Sequence, residues 1–203
     1  MSPAPTTITR ESLTGLVLCG GRGRRMSPDG AGIDKGWVSF RGRPMVRHVI
    51  ERLEPQVDRL ILNAPPLAHW QALEYPLAPD QFGGFLGPLA GIQAGLGAAT
   101  TKWVLCVPCD APLLPPDLAE RLSNRQAQTG ATCVSVVVGD RAHPVFALVN
   151  VGLAAELERY LASGARKVES WFESVGGVSC DFPDQKAFVN LNTTEELRSL
   201  EGV

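Results

Sequence analysis

Short apolar runs alternate with amphipathic stretches along the chain, and no internal repeat interrupts them. Leu16-Val17-Leu18-Cys19 has strand length and is stopped by Gly20-Gly21. Residues 43–53 carry Met45, Val46, Val49, Ile50 and Leu53 at helical spacing, which predicts an amphipathic helix. Pro44 suits the first turn of that helix and Pro55 ends the pattern. Residues 57–63 read as a strand around Leu60-Ile61-Leu62, and the Ala/Leu/Gly-rich residues 88–99 as a helix. Residues 103–107 read as a buried strand ended by Pro108. Leu118 and Leu122 mark a helix over 116–126. The β-branched and apolar runs 132–138 and 145–149 flank the polar segment 139–142 and suit an antiparallel pair. Thr193 and Glu196 have capping-box spacing and should open a last helix.

Continuously apolar strands alternating with helices imply a mostly parallel sheet covered on both faces. Right-handed crossovers then give a doubly wound α/β fold with one small antiparallel element. A ligand of such a sheet sits outside the carboxyl ends of the strands. That directs attention to the residues just after Cys19, Leu62 and Val107.

The length of 203 residues suits one domain, placed at 13–203. Residues 1–12 carry Pro3, Pro5 and three threonines without an apolar core, so they read as a disordered tail and not as a secretory signal. No apolar run approaches the ~18–20 residues that span a bilayer. The odd number of cysteines, five, includes three inside apolar runs, where a thiol acts as a small buried hydrophobe. A reduced, cytoplasmic protein follows. The net charge of -2 excludes a wholly basic nucleic-acid binder, but the sum hides a division. Between Arg22 and Arg52, eight basic residues face three acids, a local +5 that leaves -7 for the rest. One compact anionic ligand near the first strand fits that distribution.

The loop after the first strand, Gly20-Gly21-Arg22-Gly23-Arg24-Arg25-Met26, combines glycines that free backbone N–H groups with guanidinium donors. It is either a triphosphate cradle or a solvated basic loop. It matches neither common phosphate fingerprint: Met26 stands where a dinucleotide motif needs its last Gly, and Lys35 lies between Asp34 and Gly36 rather than in Gly-Lys-Ser/Thr. Asp110 follows the buried strand between Pro108 and Pro112, placed either to hold Mg²⁺ against phosphate or to cap a turn. Asn63 and Asp80 carry the same ambiguity between nucleoside contact and turn. Cys106-x-x-Cys109 lacks the second ligand pair of a zinc site and does not open a helix as a redox pair should. His143, before Pro144, reads as a packed or capping residue; His48 and His69 carry less signal still.

In series, these pieces resemble the nucleotidyltransferases, and among them the molybdenum cofactor guanylyltransferase family. The resemblance rests on Leu18-Cys19-Gly20-Gly21, Arg25-Met26, Asp34-Lys35-Gly36, Gly87-Pro88-Leu89-Ala90-Gly91, Pro108-Cys109-Asp110-Ala111-Pro112, His143-Pro144-Val145-Phe146-Ala147 and Phe188-Val189-Asn190-Leu191-Asn192-Thr193. It covers residues 16–196 in the expected order. It implies a Rossmann-like nucleotidyltransferase fold and the transfer of GMP from GTP to the phosphate of molybdenum-molybdopterin, with pyrophosphate leaving. Under it, Leu18, Cys19, Gly20 and Gly21 cradle GTP, Arg25 and Lys35 neutralise the leaving pyrophosphate, Asn63 and Asp80 contact the nucleoside, Asp110 ligates Mg²⁺, and Asn190 and Asn192 face molybdopterin. The implied partners are GTP, molybdenum-molybdopterin and either molybdoenzymes or other cofactor-biosynthesis proteins, without nucleic acid or membrane, for a monomer. The family usually has Ala where this chain has Cys19, which puts a thiol beside the phosphate site. The loop over 27–34 is long and glycine-bearing, and is expected to order on nucleotide binding. A CTP-dependent sister enzyme, another small-molecule nucleotidyltransferase and a non-catalytic nucleotide-binding adaptor are the competing readings.

Overall fold

The structure is a computed structural model that describes residues 8–20, 34–81, 87–191 and 193–201. Six strands form the main sheet: β1 (Leu13–Leu18), β4 (Arg59–Asn63), β5 (Trp103–Pro108), β6 (Cys133–Val138), β7 (Arg141–Asn150) and β8 (Val178–Asp181). Their spatial order is β4-β1-β5-β7-β6-β8. β1 pairs in parallel with both β4 and β5, and β6 in parallel with β8. β7 is antiparallel to both of its neighbours. A two-stranded antiparallel sheet, β2 (Ser39–Phe40) and β3 (Arg43–Pro44), stands apart.

The helices are α1 (Met45–Leu53), α2 (Ala68–Gln71), α3 (Pro88–Ala98), α4 (Leu118–Thr129), α5 (Ala154–Ala162), α6 (Val168–Ser174) and α7 (Thr194–Glu201). They cover both faces of the sheet. Side chains of successive strand residues point to opposite faces. Thus Leu13 and Val17 of β1 pack with α1 and α4, through Val49, Leu53, Leu118 and Leu122. Leu16 and Leu18 pack on the other face with α3, α5 and α6, through Ile92, Leu157 and Trp171. Two glycines let these layers close. A β-carbon on Gly15 of β1 would stand 2.9 Å from Leu53 Cδ2, and one on Gly95 of α3 would collide with Leu16.

The sequence expectations hold for α1, α3, β5 and the β6–β7 pair, with shifts at their ends. α4 starts later and runs on to Gly130, whose left-handed φ of 70° closes it. Pro55 ends α1, yet the chain continues as a 3-10 turn over Glu54–Gln56, so the following strand opens only at Arg59. The β6–β7 turn shrinks to Gly139-Asp140 because β7 begins at Arg141. His143 and Pro144 therefore lie within a strand, where the pairing register slips between Ser135 and Val136. That irregularity accommodates a proline, which has no N–H to give to the ladder. The capping box forms as read: Thr193 N donates to Glu196 Oε2 at 2.9 Å, and Glu196 N donates to Thr193 Oγ1 at 3.1 Å. Arg10–Ser12 form a short 3-10 turn ahead of β1. Among the described residues no helix is long and apolar enough to cross a membrane.

Candidate functional site

β1 leads through α1 to β4 on one side, whereas β5 leads through α4 to β6 on the other. The crevice between the carboxyl ends of β1 and β5 is therefore the switch point at which a doubly wound sheet binds its ligand. A cavity of about 360 Å³ opens there. Leu18, Cys19 and Gly20 line it from β1, Asn63 from β4, and Asp110 from just beyond β5. Lys35, Asp80 and Asn190 complete the set. These eight expected site residues, spread over most of the chain, converge on one cavity. Gly21, Arg25, Asn192 and the loop over 27–33 lie outside the described residues.

Asp110 is the electrostatic centre. It is buried, with 6% of its surface exposed, and its Oδ2 accepts from Lys35 Nζ at 3.2 Å. Burial raises the pKa of this carboxyl above the ordinary carboxylate value, and the Lys35 ammonium opposes that rise. Glu196, from the last capping box, adds to the rise. The Asp110 carbonyl accepts from Leu191 N at 2.9 Å, which ties the segment bearing Asn190 to the metal candidate. Lys35 sits in a 3-10 turn over Lys35–Trp37, closed by Trp37 N donating to Asp34 O and Val38 N to Lys35 O.

Asn63 and Asp80 form a second pair. Asn63 Nδ2 donates to Ala78 O and to Asp80 Oδ1, both at 2.9 Å. One donor of the amide thus holds the Ala78 carbonyl and one holds Asp80, and Oδ1 is turned toward Gly20 and Gly91. A β-carbon on Gly91 would collide with that oxygen, so α3 approaches β4 only because position 91 is glycine. The loop after β1 is fixed as well: Cys19 N donates to Asn63 O at 3.0 Å, and Cys109 N to Leu18 O at 3.1 Å. The Cys19 amide is thereby engaged in the protein and is not offered to an anion.

Several lining residues stood in the quoted motifs without a site role of their own. Gly87 and Pro88 place the N-terminus of α3 at the cavity, with Gly87 at a φ of 73° and Pro88 in the first turn. A Gly-Pro pair opening an apolar helix was the available signal. The positive end of that helix favours an anionic ligand. Cys109 also lines the cavity, next to Cys19. Burial and a hydrogen bond with Cys109 push the Cys19 thiol well above its usual pKa, so it stays protonated and unreactive. Cys106 and Cys109 pack on opposite faces of the sheet, so the two thiols of the CxxC do not face one another. His143 is a packed residue, its ring 5.7 Å from Phe188 and 6.1 Å from Phe146; burial lowers its pKa.

A hard divalent cation fits the donor set at Asp110. Its carboxylate faces the cavity and already holds a cation, the Lys35 ammonium, on one oxygen. Among the described residues no cluster of three or more potential ligands forms, and Asp110 offers one carboxylate to such a cation.

The model of the MobA-like NTP transferase domain matches residues 15–183. The chain belongs to that family. It is 41% identical over 203 residues to the molybdenum cofactor guanylyltransferase of Ralstonia nicotianae, covering 95% of this chain and 98% of the relative. It is 40% identical over 211 residues to the molybdenum cofactor guanylyltransferase of Acidovorax ebreus, covering 97% and 98%. The crystal structure of molybdopterin-guanine dinucleotide biosynthesis protein A from Archaeoglobus fulgidus superposes with a TM-score of 0.75 at 26% identity, covering 93% of this chain and 97% of that one. The family reading from the motifs and the mixed, mostly parallel nucleotidyltransferase sheet are both borne out.

Proposed function

We propose that this protein is a molybdenum cofactor guanylyltransferase: it transfers GMP from GTP to the terminal phosphate of molybdenum-molybdopterin. An acceptor phosphate oxygen bonds to the α-phosphorus of GTP, the α–β anhydride bond breaks, and pyrophosphate leaves. The observation that carries this reading is the convergence of Lys35, Asp110, Asn63 and Asp80 on one cavity at the switch point, in a chain that matches guanylyltransferases over almost its full length. Positioning and charge neutralisation supply most of the catalysis in such a transfer.

Lys35 neutralises negative charge that develops on the leaving pyrophosphate. Arg25, from the basic loop, is assigned the same task. Asp80, steadied by Asn63, contacts the nucleoside, while the N-terminus of α3 and the Gly20-Gly21 backbone face the phosphates. Asp110 would hold Mg²⁺, which supplies charge neutralisation at the phosphate oxygens when bound. Asn190, with Asn192 beyond it, serves the molybdopterin side. We take the protein as a monomer, and five free thiols suit the reducing cytoplasm. Product delivery to molybdoenzymes or to other cofactor-biosynthesis proteins follows from the reaction.

Thermal unfolding with each nucleotide and Mg²⁺ tests the reading. GTP at ~100 times its Kd should stabilise by about 2.7 kcal/mol, and CTP and ATP by much less. Equal or greater stabilisation by CTP would overturn the choice of base.

A further inference from the structure

We propose that His69 is a positioning residue for Lys35, acting through its hydrogen bond to Asp34. An aspartate at the N-cap of a helical turn ordinarily accepts from the backbone of that turn. Asp34 occupies the N-cap of the Lys35–Trp37 turn, yet its side chain makes no cap bond. Its Oδ2 instead meets His69 Nε2 of α2 at 3.1 Å. A carboxylate can only accept, so Nε2 carries the proton. The other oxygen, Oδ1, is buried without a hydrogen-bond partner. The histidine bond is thus what holds this carboxyl in place among the described residues.

The rest of the turn rests against the same short helix. A β-carbon on Gly36 would stand 2.7 Å from Trp70 Cη2. The Trp37 ring lies edge-on to His69 at 5.3 Å and to Trp70 at 5.7 Å. Asp34, Gly36 and Trp37 are therefore seated on His69 and Trp70, while Lys35 between them reaches Asp110 at 3.2 Å. Packing limits how near the turn comes to α2. The directional bond at Asp34 fixes its rotation, and so the line along which the Lys35 stem enters the cavity. His69 itself is not among the residues that line the cavity.

The catalytic consequence rests on the role given to Lys35 above; the effect on the turn does not. Two variants separate bond from packing. His69→Phe keeps a ring against Trp37 and loses the donor, whereas His69→Gln keeps a donor near the Nε2 position and loses the ring. In His69→Phe, amide exchange at Trp37 and Val38 should rise about tenfold while β1 amides stay protected, and His69→Gln should restore it. Pyrophosphate release from GTP and molybdenum-molybdopterin should lose between about 10- and 100-fold in kcat in His69→Phe, with KM for GTP unchanged. In a Lys35→Met background the same substitution should lower kcat no further. Unchanged exchange in His69→Phe, rescue by the ring instead of the amide, or full additivity with Lys35→Met would each overturn the proposal. Absent turnover by the wild-type protein with exchange behaving as described would instead refute the guanylyltransferase reading and leave the positioning role standing.

Discussion

Replacing Lys35 by Met keeps an unbranched stem and removes the cation that, among the described residues, pairs with Asp110. The pair spans 3.2 Å, with 22% of the lysine side chain and 9% of the aspartate exposed. At an effective dielectric near 20 the gross attraction is about 5 kcal/mol. Restored hydration and the freedom of Asp110 to take up a proton reduce the net loss to roughly 1.5–3 kcal/mol, the usual contribution of a hydrogen bond to a charged group. Burial already raises the Asp110 pKa and Lys35 is the largest influence lowering it, so the carboxyl in Lys35→Met should titrate higher than in the wild type. Metal binding needs the ionised carboxylate. Accordingly the acid limb of kcat/KM for Mg²⁺-dependent pyrophosphate release should move to higher pH, and kcat should fall as phosphate neutralisation is lost. Rates measured across pH at saturating Mg²⁺ provide the assay. An acid limb at the wild-type position refutes the coupling between Lys35 and Asp110, whatever happens to the rate.

Two more outcomes follow from the same geometry. Asp110→Asn should abolish Mg²⁺-dependent transfer and retain the fold. For a carboxyl whose folded pKa is raised, the stabilising contribution is present below the unfolded-state value and is lost as pH rises through the folded value. In EDTA at pH 7 the Asn variant should therefore melt no lower than wild type, and a Tm drop of several degrees would contradict the assignment of burial as the dominant influence. Gly91→Ala should displace Asn63 and Leu18, destabilise by roughly 1–3 kcal/mol and weaken GTP binding, as read by denaturant titration and calorimetry. Gly97→Ala on the same helix meets open space and should stabilise by up to about 1 kcal/mol; similar behaviour of the two variants would argue against the close approach at position 91.

Where one face or both faces of an element are plainly apolar, the fold was legible in sequence. The stripe from Met45 to Leu53 and the run from Trp103 to Val107 became α1 and β5. β1 begins earlier than its apolar run because Thr14 bonds Thr101 Oγ1 at 2.7 Å and Gly15 makes room for Leu53, both of which look like breaks in the pattern. α5, α6 and β8 went unread. Leu157 and Leu161 in α5 carry a helical spacing, but β8 is short and alternates polar with apolar residues. In the site, residues at strand ends were legible because topology fixes where ligands sit. Lys35 and Asn190 became visible only through the family motifs, whereas Asp80 was a candidate on its own with two open readings. His69 gave no local signal: it lies 35 residues from Asp34, and only folding brings the two together.

Pyrophosphate release from purified protein with Mg²⁺ and molybdenum-molybdopterin, run in parallel with GTP and CTP, tests the central claim most directly. The account predicts release with GTP, dependence on the molybdopterin acceptor, formation of the guanine dinucleotide product and little release with CTP. Faster release with CTP, or none with either nucleotide, would contradict it.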